Sequence, residues 1–257
     1  MRKTIIAGNW KMYKTIPQAI ELANGLKREL FELEPEAIDI VLCPPFTALS
    51  EVGEVIAESN IQLGAQNCFF QDEGAFTGEV SPLMLKDAGV KFVIIGHSER
   101  RQYLGETNES VNKKIKAALL HGLTPIVCVG ETLKDREESS TFKVLDDHIT
   151  NGLKGLSSQE VENLVIAYEP VWAIGTGKTA TSAQAQEAQI YIRNLLTKMY
   201  NKEVAENLRI QYGGSVKPEN ITDLMQQPDV DGALVGGASL TVESFSTIVK
   251  KASEVKK

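Results

Sequence analysis

A carboxylate closes one apolar run of this sequence: Leu164-Val165-Ile166-Ala167-Tyr168 is followed by Glu169. The run has the length and branching of a buried strand. Pro170 cannot extend it, because proline lacks the N–H that a sheet ladder needs. A carboxyl group at such a place has the chemistry of a general acid or base, and partial desolvation is expected to raise its pKa and improve it as a base. Val171-Trp172-Ala173-Ile174 then form an apolar tip, and Gly175-Thr176-Gly177-Lys178 a pliant return. That mixture suits a lid that moves and buries its tip. It also suits an ordinary strand-to-helix loop.

Other candidates stand behind similar runs. His97 follows Gly96, in the stretch Gly96-His97-Ser98-Glu99-Arg100-Arg101, which is unusually polar for a strand exit. It is a candidate acid–base group or a satisfied structural histidine. Lys11 lies three residues after Gly8, where its ammonium can point inward or rest on the surface. Gly213-Gly214-Ser215 and Gly236-Gly237-Ala238-Ser239 allow a ligand to approach the backbone closely. Both are expected to lead into short helical segments, whose first N–H groups can hold an anion. Two such turns after successive strands favour phosphate over plain tight turns. Gly175-Thr176-Gly177-Lys178-Thr179 imitates the end of a nucleotide-binding loop, but Trp172 stands where that motif needs its first glycine. His97, His121 and His148 have no ligand spacing with one another or with the cysteines, so no metal is expected.

These residues need elements to position them. Near-continuous apolar runs end at Ala7, Cys43, Ala65, Ile95, Val129, Tyr168, Tyr212 and Val235. Runs without alternation are what strands covered on both faces require. Helical patterns separate them. Thr15 can cap a helix with Pro17 in its first turn and Ile20, Ala23, Leu26 and Leu30 on its apolar stripe. Val111, Ile115 and Ala118 repeat the spacing, with Gly122 at the C-terminal cap position. Thr181 and Gln184 have capping-box spacing ahead of a stripe of Ala185, Ala188, Ile192, Leu195 and Met199. Strand–helix alternation gives an α/β class with a parallel sheet. Eight units in 257 residues fit a closed (β/α)8 barrel. An open doubly wound sheet is the alternative, and the glycine turns after the last two strands favour the barrel. In a barrel, residues just after the strands meet at one end. Asn9, Lys11, His97, Glu169, Ser215, Gly236 and Gly237 would then surround one axis.

No composition break divides the chain, so residues 1–257 are expected to form one domain. Apolar residues make up 42% and charged residues 24%, the balance of a soluble globular protein. With a net charge of −7 and no basic run, nucleic acid is not an expected partner. No run approaches the ~18 apolar residues of a membrane span, so no membrane partner is expected. The apolar stretch after Arg2-Lys3 is too short and too broken to be a signal peptide. Cys43, Cys68 and Cys128 lie far apart, form no CxxC pair and are odd in number, which points to buried reduced thiols and a cytoplasmic location.

The sequence closely resembles the triosephosphate isomerases. The resemblance lies in Asn9-Trp10-Lys11, Gly74-Ala75-Phe76-Thr77-Gly78-Glu79, Ile95-Gly96-His97-Ser98-Glu99-Arg100-Arg101, Ala167 through Gly177, Tyr212-Gly213-Gly214-Ser215-Val216 and Leu234-Val235-Gly236-Gly237-Ala238-Ser239. These stretches span the chain in the family's order. Phe76 stands where many members carry another aromatic. The resemblance implies a TIM barrel that interconverts dihydroxyacetone phosphate and D-glyceraldehyde 3-phosphate, in glycolysis and gluconeogenesis, without cofactor or metal. It implies Glu169 as the proton carrier, His97 as the group that polarises the carbonyl, and Lys11 as positive charge for phosphate and enediolate. Asn9 would hold the substrate oxygen, and Gly175, Ser215, Gly236 and Gly237 the phosphate. Cys128 and Glu99 resemble supporting residues of the site. The resemblance further implies a homodimer in which the loop Gly74 to Glu79 enters the neighbouring subunit and Thr77 completes its site. Two rival functions are an aldolase-type sugar-phosphate barrel that uses Lys11 as a Schiff-base amine, and a barrel that binds phosphate without catalysis.

Overall fold

The computed structural model describes residues 2–174 and 179–255. Eight parallel strands close into a barrel in chain order: β1 (Thr4–Asn9), β2 (Ile38–Cys43), β3 (Ile61–Ala65), β4 (Phe92–Ile95), β5 (Thr124–Val129), β6 (Val165–Tyr168), β7 (Arg209–Tyr212) and β8 (Gly232–Val235). The ring shuts where Ile5 to Gly8 of β1 pairs with Gly232 to Val235 of β8. This excludes the open sheet.

Successive strand residues point to opposite faces, and here both faces are buried. Ile5, Ala7, Val41, Cys43, Phe92, Ile94, Ile126, Cys128, Val165, Ala167 and Leu234 fill the interior. Their neighbours Ile6, Ile40, Leu42, Val93, Ile95, Val127 and Ile166 pack outward with the helices. That double burial is why the runs read as continuous rather than alternating. At the N-terminal ends of the strands, Asp39 accepts hydrogen bonds from Lys3 (2.6 Å), Gln62 (3.0 Å) and Arg209. This charged floor leaves the opposite rim for the site.

The helices follow the sequence pattern with two shifts of face. In the helix Ile16–Glu29 the buried residues are Ala19, Leu22, Ala23, Gly25 and Leu26, while Ile20 is half-buried. In the helix Ser182–Met199 the stripe runs through Ala185, Ala188, Ile192 and Leu196, and Leu195 and Met199 lie at its margin. A 3.6-residue period drifts off a fixed spacing over several turns, so the last members move to the adjacent residue. The Thr181 and Gln184 capping box is present, as is the helix Asn108–Leu120 with Val111, Ile115 and Ala118 buried. All three cysteines are buried free thiols. Among the described residues no helix is long and apolar enough to cross a membrane.

Candidate active site

At the C-terminal rim, Asn9, Lys11, His97, Glu169, Ser215, Gly236 and Gly237 line one cavity of about 490 Å³. Tyr13, Ile174, Gly213, Gly214 and Leu240 are among the other residues of its wall. Gly175 lies outside the described residues, with Thr176, Gly177 and Lys178.

Glu169 follows β6 directly and is 2% exposed. Its backbone N–H donates to the Val129 carbonyl at 2.8 Å, and the next strand is tied in by Gly213 N–H to Tyr168 O at 2.7 Å. A Cβ on Gly213 would stand 2.9 Å from Glu169 Cγ, so only glycine leaves room for the carboxylate. Oε2 accepts the Ser98 backbone N–H at 2.9 Å. Oε1 is 3.0 Å from His97 Nε2 but has no aligned donor. The carboxyl group's pKa differs from the sequence expectation. Burial does push it up, but the His97 ring, the Ser98 N–H and the Lys11 charge outweigh burial and hold it below the usual carboxylate value. In this resting arrangement Glu169 is an ionised base already.

His97 is the N-cap of the helix Ser98–Leu104, and its Nδ1 accepts the Glu99 N–H at 3.2 Å. Accepting at Nδ1 takes the neutral ring with its proton on Nε2, which is the nitrogen that faces Glu169. Burial works against the imidazolium, while Glu169 and then Glu99 favour it, and the balance lies above the ordinary histidine value. Gly96, at φ 75°, turns the chain so that the ring enters the cavity.

Lys11 adopts φ 50°, the left-handed region that costs a non-glycine residue roughly 1–2 kcal/mol. Its surroundings impose that conformation. Asn9 Oδ1 accepts the Lys11 N–H at 3.0 Å, and Gln66 Nε2 donates to the Lys11 carbonyl at 2.8 Å. Nζ forms a salt bridge with Glu99 Oε1 at 2.6 Å. A Cβ on Gly236 would lie 3.3 Å from Lys11 Cε and 3.7 Å from Nζ, so the ammonium rests beside the glycine turn. The 3-10 turn Gly237–Leu240 starts at that turn, as expected, and Ser239 braces it by donating its hydroxyl to the Gly236 carbonyl at 2.7 Å. After β7 a short helix also follows, at a distance of a few residues. Asn220 donates its side chain to the Ser215 carbonyl, and the helix Ile221–Met225 begins only afterwards.

Some contributors were not legible as site residues. Gln66 was visible only as a polar residue at a strand end, yet it fixes Lys11. Glu131, fully buried, takes the Trp172 Nε1–H at 2.8 Å and the Tyr168 hydroxyl at 3.1 Å, rooting the segment that follows Pro170. Both act through contacts distant in sequence. Among the described residues no group of His, Cys, Asp and Glu converges to hold a metal ion.

A buried base, an imidazole N–H, a cation and an anion-sized glycine turn thus face one space. That set can move a proton at a carbon next to a carbonyl while gripping an anionic group. Comparison with known proteins bears on what the set belongs to. The family model described as triosephosphate isomerase matches residues 4–252. Similar chains are the triosephosphate isomerase of Carboxydothermus hydrogenoformans, 60% identical over 252 residues, and that of Geotalea uraniireducens, 58% identical over 252 residues. A third, from Thermoanaerobacter pseudethanolicus, is 56% identical over 249 residues. Each alignment covers 97% of this chain and 99% of the relative. With the barrel, the site geometry and these likenesses in agreement, the chain belongs to the triosephosphate isomerase family.

Proposed function

We propose that this cavity interconverts dihydroxyacetone phosphate and D-glyceraldehyde 3-phosphate through an enediolate, the step shared by glycolysis and gluconeogenesis. The observation that carries the reading is the meeting of Glu169, His97, Lys11 and the Gly236-Gly237 turn around one space. Aldose–ketose exchange requires a base that takes a proton from one carbon and returns it to the next. An ionised carboxylate at a strand end, tied through its own N–H to one neighbouring strand and through the Tyr168 carbonyl to the other, suits that task. Negative charge then develops on the substrate oxygens. The neutral His97, with its proton on Nε2, can donate to them, and the Lys11 ammonium stabilises the same charge. Asn9 holds a substrate oxygen. Ser215, Gly236 and Gly237, with Gly175 beyond the described residues, hold the phosphate through backbone N–H groups.

Ile174 reaches the cavity wall, and the lid of this reading continues into Gly175 to Lys178, outside the described residues. An enediolate phosphate that meets water can expel its phosphate. Closing an apolar lid over the site opposes that loss. The Schiff-base alternative fits less well, because Lys11 Nζ is engaged in a salt bridge with Glu99 Oε1 at 2.6 Å, whereas a Schiff base needs a free amine.

The reading extends to the whole chain as one domain, residues 1–257, and to a homodimer. Met12, Tyr13, Phe76, Met84, Tyr103 and Leu104 are exposed on segments that follow β1, β3 and β4, and that apolar surface suits a second copy of the chain. The loop Gly74 to Glu79 would enter the partner, where Thr77 would complete its site. Buried, unpaired thiols suit the cytoplasm. A coupled assay with D-glyceraldehyde 3-phosphate tests the function: folded protein that produces no dihydroxyacetone phosphate removes the isomerase reading.

A further inference from the structure

Arg101 stands behind the site, away from the substrate cavity. It is half-buried, and its hydrogen bonds go to neutral acceptors. Nε donates to the Gly96 carbonyl at 2.7 Å, Nη1 to Asn108 Oδ1 at 2.6 Å and Nη2 to the Cys128 carbonyl at 3.3 Å. Among the described residues it makes no salt bridge. Through its hydrogen bonds it reaches a carboxylate at second hand, by way of Asn108, whose Nδ2 donates to Asp147 Oδ2 at 2.8 Å. Withdrawing a guanidinium from water without an ion partner is unfavourable. A plain tie between two strands does not require a charge.

Its location supplies a use. Gly96 and Cys128 lie at the ends of β4 and β5, so the planar fork clamps those two strand ends together. A Cβ on Gly96 would come within 3.0 Å of Arg101 Nη2, so the guanidinium lies on the bare face of the glycine that turns His97 into the site. A second cavity of about 280 Å³, on the other side of Glu169, is lined by Arg101, Ser98, Cys128, His148 and Glu169 itself. Arg101 does not line the substrate cavity. Its field is felt nearby: burial first and the Arg101 charge second push His148 down to about 4.

We propose that Arg101 is a positioning residue for proton transfer, which clamps the Gly96 turn that aims His97 and places a positive charge that makes no salt bridge behind the Glu169 carboxylate. The proposal rests on the isomerase reading above. Glu169 also faces His97 and the Ser98 N–H from the β4 turn, Lys11 from the β1 turn and the Cys128 thiol from β5. Arg101 faces Cys128, Glu106, Glu169 and Asp147, and beyond them His148, which is itself near Asp135. Removing the cation therefore leaves Glu169 with its burial and one fewer positive neighbour, which raises its pKa.

The test compares Arg101→Met, Arg101→Lys and the exchange Asn108→Asp with Asp147→Asn in the full chain. The exchange puts a carboxylate on Nη1 without altering net charge, and an aspartate at the first turn of the helix Asn108–Leu120 is compatible with folding. Isomerisation by the parent chain is measured first, so a silent parent rejects the isomerase reading, whereas variant-to-parent ratios concern Arg101 alone. Arg101→Met is expected to lower kcat by about ten- to a hundredfold, while inhibition by inorganic phosphate changes less than about twofold. Its acid limb of kcat/KM moves to higher pH. Arg101→Lys restores the acid limb but not kcat, because an ammonium cannot fork between two carbonyls. The exchange variant keeps kcat near the parent's and moves the acid limb up, and it carries the test if Arg101→Met does not fold. Parental kcat in folded Arg101→Met overturns the clamp. An acid limb unmoved in the exchange variant overturns the role of the charge.

Discussion

His97 Nε2 and Glu169 Oε1 are 3.0 Å apart, yet the oxygen has no aligned donor, while the other carboxylate oxygen accepts the Ser98 N–H at 2.9 Å. The contact between base and electrophile is therefore a resting contact of poor alignment, and the carboxylate's aligned partner is the Ser98 N–H. A substrate carbonyl placed between them would take the His97 proton that Glu169 now faces. Glu169, turned to the substrate carbon, would lose His97 and Ser98, the groups that now hold its pKa down. Burial would then act with less opposition, which makes the carboxylate a stronger base where it is needed.

Glu169→Gln preserves shape and removes the base. Its kcat is expected to fall by at least ~10²–10⁴, with far-UV circular dichroism unchanged. A turnover close to the parent's would take Glu169 out of the reaction.

His97→Gln should reduce kcat more than it weakens competitive inhibition by inorganic phosphate. The same variant removes a leading influence that lowers the Glu169 pKa, so the acid limb of kcat/KM should move to higher pH. The opposite split, weak phosphate binding with normal turnover, would make His97 a binding residue.

Trp172→Phe deletes the 2.8 Å hydrogen bond from Nε1 to Glu131 that roots the lid segment. The expected outcome is more inorganic phosphate released per isomerisation event, measured with a phosphate-specific dye beside the coupled assay. An unchanged ratio would count against exclusion of water as the purpose of the lid.

His148 makes stability depend on pH. Its Nδ1 accepts the Gly130 N–H at 3.3 Å, and burial, aided by Arg101, lowers its pKa from 6.5 to about 4. As pH falls, the unfolded chain binds this proton first. The stabilisation is therefore complete above about pH 6.5 and is lost down to about pH 4, by up to ~3 kcal/mol. Urea midpoints taken at fixed protein concentration should fall between about pH 7 and pH 5, and His148→Gln should flatten that fall. Parallel curves for the two proteins would show that another group sets the acid limit.

Much of this protein is decided by its sequence. The eight apolar runs specify eight strands because a strand buried on both faces needs apolar residues at nearly every position. The functional side chains were visible because each stands within a few residues of the end of such a run, and a closed ring brings strand ends together. The Gly213-Gly214 and Gly236-Gly237 turns marked places where a ligand can approach the backbone, for a steric reason that acts locally. The protonation of Glu169 could not be read in this way. A buried carboxylate alone suggests a raised pKa, and only the meeting of β1, β4 and β6 brings Lys11, His97 and the Ser98 N–H close enough to reverse it. The same holds for Gln66 on Lys11, for Glu131 beneath Trp172 and for Arg101 against Gly96. Sequence dictates which residues stand at a strand end, because burial and chain geometry act over a few positions. Which charges share a low-dielectric space is settled by closure of the barrel, because electrostatic influence depends on distance through the fold and not along the chain.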